Sequence, residues 1–146
     1  MKRGELMESK DNAQDIILSQ WQTCVEMANA VSDRRDSMNN LFVTVNLALV
    51  AAVSLVWDVK IAVLLVAGVV DCIIWMLFIR NYGNLNSAKF SVITELEKKL
   101  PTKPFTDEWQ KVKEKKYRRN SKLELVMPSA FIVLYVVLFI LVICKK

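Results

Sequence analysis

Three apolar runs, Leu41–Trp57, Ile61–Ile79 and Ser129–Cys144, are each long enough for a helix to cross a bilayer. A hydrocarbon core of about 30 Å takes about 17–25 helical residues at about 1.5 Å each. Within the last run, FIVLYVVLFILVIC has no charge, Gly or Pro, whereas a soluble core helix keeps a polar face. The rest of the 146 residues fall into an N-terminal arm (1–40) and an insert (80–127), flanking a hairpin of spans (41–79) and preceding a third span with a short tail (128–146). Neither polar part is large enough for an independent catalytic core. With only 3 Gly and 3 Pro the chain is poor in turns, which excludes an all-β fold. The expected fold is all-α: a polytopic membrane protein with three transmembrane helices and amphipathic helices outside the lipid.

The net charge of +5 is unevenly spread. Lys and Arg number five before Leu41, one in the first hairpin (Lys60), twelve from Arg80 to Lys122 and two at the end. Cytoplasmic loops collect these residues. The arm and insert are therefore expected in the cytoplasm, and the Trp57–Lys60 turn outside. Three crossings put the Lys145–Lys146 tail outside as well. Arg34, Arg35, Lys111, Lys115, Lys116, Arg118 and Arg119 are the candidate orienting residues, each contributing about 1 kcal/mol near anionic headgroups. Trp109 and Tyr117 lie within or beside this basic run, but no nucleic-acid motif accompanies it, so membrane lipid is the expected partner. Cys24, Cys72 and Cys144 lack metal spacing and read as small apolar fillers in a reducing compartment. The first 40 residues hold no apolar run, so the first span is expected to insert as an uncleaved anchor.

Outside the runs, Ile17, Trp21, Cys24, Ala28 and Val31 step by four and three, the spacing of a seam between helices. Ser32 could cap a new helix leading into the first span. After the second run no proline occurs before Pro101, so that helix can continue past Ile79. There Leu85, Ala88, Val92, Leu96 and Leu100 form one stripe with Phe90 and Ile93 beside it, until Pro101 and Pro104 end the helix. Thr106 reads as the N-cap of a following helix with Phe105, Trp109 and Val112 on its apolar face. Pro128 suits the first turn of the last span. These stripes exceed what one small chain can cover, which points to self-assembly.

No enzyme signature is present. The chain has no histidine, no Gly-rich phosphate loop and no HExxH or CxxC spacing, so neither catalysis nor a metal or other cofactor is expected. Asp107/Glu108 and Glu95/Glu97 read as solvated faces. Asp71 and Asn46 are the informative polar residues, because both fall inside the spans. A carboxylate at that depth costs at least about 2.5–3.5 kcal/mol unless it is neutralised, paired or turned to water. Asp71 and Asn46 then either line a pore or intersubunit seam, or Asp71 bonds within the chain, with Asn46, Thr44, Ser54 and Tyr135 as available partners.

The string DRRDSMNNLFVTVN before and into the first span, and the later W…IRNYGNLNSAKFSVITELEKKLP…F..EW, resemble bacterial RipA-type octameric membrane proteins. The matching residues at the first span are Asp33, Arg34, Asn39, Asn40, Phe42 and Asn46. Trp75, Tyr82, Leu85, Asn86, Lys89, Phe90, Ile93, Glu97, Leu100, Pro101, Glu108 and Trp109 follow, then Tyr117, Glu124 and Pro128. The resemblance implies an inner-membrane ring of about eight small helical subunits. Trp21 of the arm and the matched Asn86, Lys89, Phe90, Ile93, Glu97 and Trp109 are then candidates for the cytoplasmic assembly surface. A looser similarity runs to small membrane effectors of antiphage systems, including the SLATT type and pore-forming accessories of type VI CRISPR loci. That similarity implies a pore serving defence or stress. A scaffold that recruits a cytosolic protein through the insert is the alternative. The nuclease-like Arg…His motif discussed for some such accessories cannot occur in a chain without histidine.

Overall fold

The computed structural model describes residues 2–55, 61–114 and 124–144, with side chains for 12–55, 61–112 and 124–144. Of the described residues 94% are helical and none lies in a strand. They form α1 (Lys2–Leu55), α2 (Ile61–Glu97), α3 (Pro104–Glu114) and α4 (Val126–Cys144). As the three runs predict, α1, α2 and α4 each contain a stretch long and apolar enough to cross a membrane. The Trp57–Lys60 turn, Lys115, Lys116, Tyr117, Arg118, Arg119, Lys122 and the Lys145–Lys146 tail lie outside the described residues. The described residues gather into two compact units: a polar unit of 2–32 and 84–114, and a spanning unit of 33–55, 61–83 and 124–144.

In the spanning unit, covered residues recur at steps of three, four and seven, which keep to one face of each helix. They are Asn39, Phe42, Asn46 and Val53 on α1, Ile61, Leu65, Gly68, Cys72, Trp75 and Ile79 on α2, and Pro128, Phe131, Tyr135 and Val142 on α4. This spacing closes a seam between helices that cross at small angles. Arg35 meets Glu124 and Asn46 meets Tyr135 at the same separation of 89 residues, so α4 runs parallel to α1. Trp75 pairs with Asn39 and Cys72 with Asn46, so α2 runs antiparallel to both. The last run is thus one continuous helix that points in the direction of the first. The opposite faces, with Val63, Val66, Leu77, Val133 and Ile140 exposed, are apolar and suited to lipid.

Two packing details hold this bundle. Phe42 stacks on Trp75 at 5.6 Å, and the Trp75 indole N–H donates to Asn39 Oδ1 at 2.8 Å. Gly68 lies flat against the Tyr135 ring, where an added Cβ would sit 2.6 Å from Cζ. The α1 helix continues unbroken through Ser32, which is not a cap: its hydroxyl donates back to the Ala28 carbonyl at 3.2 Å.

The polar unit bears out one predicted stripe and corrects the other. Ile17, Trp21, Cys24, Ala28 and Val31 are the covered face of this part of α1. On α2, however, Leu85, Ala88 and Val92 are exposed, and the covered face runs through Asn86, Lys89, Ile93 and Glu97. The reason is Glu97, which is not a solvated acid but 0% exposed. Its carboxylate accepts the Phe105 N–H at 2.7 Å, the Thr106 N–H at 3.0 Å and the Thr106 hydroxyl at 2.7 Å. A charged acceptor on the orphan amides of a helix N-terminus satisfies both hydrogen bonding and the helix dipole. Thr106 is therefore not the cap. The helix starts at Pro104, whose missing N–H costs nothing in a first turn, and its first internal bond is Asp107 N–H to the Lys103 carbonyl at 3.0 Å. Phe105 then packs edge-on against Trp21 at 5.8 Å and against Phe90 at 6.0 Å.

The Gly68 contact makes a direct prediction. Gly68→Ala gains about 1 kcal/mol of helix propensity but overpacks the Tyr135 ring at a cost of about 1–3 kcal/mol. Thermal unfolding in detergent should show a lower Tm for Gly68→Ala and a lower one still for Gly68→Val. A higher Tm for the alanine variant would mean the ring does not pack there.

Candidate functional site: a polar cluster between the spans

The seam of the spanning unit is mostly apolar, and beyond the Asn39–Trp75 bond its densest polar cluster is where Asn46 of α1, Asp71 and Cys72 of α2, and Tyr135 of α4 meet. Asn46 is 0% exposed, so every polar atom of its amide must be satisfied inside the protein. Its two N–H groups donate to the Phe42 carbonyl at 2.8 Å and to Asp71 Oδ2 at 2.9 Å. Its Oδ1 accepts the Tyr135 hydroxyl at 2.8 Å and the Cys72 thiol at 3.2 Å. These four bonds use the whole capacity of a carboxamide, two donors and two lone pairs. The Tyr135 hydroxyl also lies 3.3 Å from the Asn46 main-chain oxygen. All three spans are thereby tied to one side chain.

Of the partners considered for Asp71, the structure places Asn46 against it directly. Tyr135 sits on the far side of the same amide. Thr44 and Ser54 are exposed and donate to their own helix, to the Asn40 and Val50 carbonyls, each at 2.8 Å. Asn46 is wholly enclosed by its own protomer and so faces neither a lumen nor a neighbour. Asp71 is only half-buried and remains available at the edge of the seam.

A further polar tie, between Arg35 and Glu124, joins α1 to the start of α4, with the two side chains 14% and 26% exposed. Arg35 is turned into the bundle, whereas Arg34 and Lys111 are exposed, as surface-orienting residues require. Of the candidate assembly residues, Ile93 and Glu97 are buried inside the protomer, while Trp21, Asn86 and Lys89 are half-buried. Phe90 and Trp109 are left 38% and 55% exposed. Cys72 and Gly68 were not singled out from the sequence as site residues. Cys72 reads as a filler within an apolar run, while Gly68 had a usable signal as the one glycine within the three runs.

A model of the octameric membrane protein family (8xMP) matches residues 18–144, nearly the whole chain. The chain belongs to this family. No curated protein and no solved structure matches it. The 8xMP match takes in the polar unit from Leu18 onward and all three spans, so both units are part of the family pattern. The protein is a helical membrane protein that assembles with copies of itself.

Because Asn46 satisfies three partners besides its own helix, its removal should be costly. Asn46→Val leaves the Cys72 thiol and the inner Asp71 oxygen unpaired and the Tyr135 hydroxyl with only the longer contact to the main-chain oxygen, which should destabilise the protomer by about 2–4 kcal/mol. Denaturant titration in mixed micelles measures this. A loss below about 0.5 kcal/mol would show that the cluster contributes little.

Proposed function

We propose that this protein forms or gates a conduit through the bacterial inner membrane as a homo-oligomeric ring, with a role in antiviral defence or stress. The observation that carries this reading is Asp71. Its own protomer leaves a mid-span carboxylate half-covered beside an apolar outer wall. Hydrocarbon is a costly environment for that group, so its open side faces water or a neighbouring subunit. Three helices enclose no channel, whereas a closed ring of an octameric family member has an axis to enclose.

The bias of Lys and Arg toward the arm and insert supports a cytoplasmic polar unit, and exposed basic side chains such as Arg34 and Lys111 supply contact with anionic lipid. The defence role rests on the resemblance to small antiphage membrane effectors. The chemistry is non-enzymatic in this reading, since a chain with no histidine offers few routes to acid–base catalysis. Phe90 and Trp109, exposed on the polar unit, give the alternative its own support, a scaffold recruiting a cytosolic protein partner.

Purified rings reconstituted in phosphatidylglycerol-containing liposomes should release a trapped dye, and Asp71→Leu should change the rate at least tenfold while the oligomer stays intact. Rings that hold the dye with or without cell extract, and that behave identically with Asp71→Leu, would contradict the conduit and favour the scaffold.

A further inference from the structure

The polar unit carries a cleft of about 220 Å³ lined by Cys24 and Met27 of α1 and by Ala88, Lys89 and Val92 of α2. Leu85 extends the same face of α2, one turn before Ala88 and Lys89. This apolar surface is open: Met27 is 47%, Leu85 46% and Val92 52% exposed. The intervening residues Asn84, Asn86, Ser87, Lys89 and Ser91 are polar, so this part of α2 is not built to lie in lipid. The α1–α2 pair is covered by α3 through Phe105, which packs on Trp21 and Phe90. The cleft has no such cover among the described residues.

We propose that this cleft is a subunit interface, filled by α3 of a neighbouring copy with Trp109 as the inserted side chain. The inference rests on membership of an octameric family and not on the conduit reading. A cyclic ring of eight is held by head-to-tail contacts, so each copy must present two different and complementary patches. The cleft supplies the concave one. The convex one should be a large exposed apolar group elsewhere on the same unit, and Trp109, 55% exposed on α3, fits that requirement. Tryptophan is the side chain most enriched where interface energy concentrates. The lining also suits an indole: the Lys89 ammonium can sit over its face, and the Met27 thioether can pack at its edge.

Cys24 makes the proposal testable with the protein's own thiol, since the three cysteines are free. In the full chain carrying Val112→Cys, one turn after Trp109 on α3, and Cys144→Ser, mild copper–phenanthroline oxidation in membranes should give a covalent ladder of dimer and higher species. Adding Cys24→Ser should abolish it. In parallel, Val92→Glu, at a position more than half exposed in the protomer, should leave the helical circular dichroism unchanged and lower the octamer fraction at least tenfold in native mass spectrometry. Octamers that yield no Cys24-dependent ladder, or that survive Val92→Glu, would overturn the proposal, whatever the dye-release result.

Discussion

In hydrocarbon a side-chain amide finds no water, so each of its four hydrogen-bonding positions must be filled by protein. Asn46 meets this condition by drawing one group from its own helix, two from α2 and one from α4. Lipid tails are as apolar as leucine, so the hydrophobic effect does not hold spanning helices to one another; packing and hydrogen bonds do. A buried, fully bonded asparagine therefore selects both the partners and the register of the bundle. The common separation of 89 residues between Arg35 and Glu124 and between Asn46 and Tyr135 shows one register kept along α1 and α4. Gly68 completes the device by letting the Tyr135 ring come close enough for its hydroxyl to arrive.

The polar unit solves a related problem with a different group. Its α3 is only 11 residues long and gains little stability from helix formation alone. The buried Glu97 carboxylate binds its first free amides and the Thr106 hydroxyl, and Phe105 anchors it on Trp21 and Phe90. In both units one buried polar residue decides which helix faces turn inward, and the apolar faces left over become available for lipid or for other subunits.

That division explains which features were legible in the sequence. The three spans were, because length and hydropathy alone define them. The seam from Ile17 to Val31 was too, because its apolar residues are also its packed residues. The stripe from Leu85 to Val92 misleads, because it is apolar yet exposed, and the packed face of α2 carries Glu97, a charged residue. Thr106 misleads in the same way, because the acceptor for the first amides of α3 is the distant Glu97 carboxylate. The partner of Asp71 stayed open between a lumen and Asn46 because sequence spacing does not give the rotation of one helix against another. For Cys72 the obstacle was chemical: a thiol in an apolar run looks the same whether it fills space or donates a hydrogen bond.

The central claim is that Asn46 and Tyr135 hold α1 and α4 together through a bond made inside the membrane. A double-mutant cycle of Asn46→Ala and Tyr135→Phe, followed by reversible unfolding in bicelles, tests it most directly. A coupling energy of about 0.6–1.7 kcal/mol between the two positions is the predicted result. Additive effects, with no coupling, would contradict it.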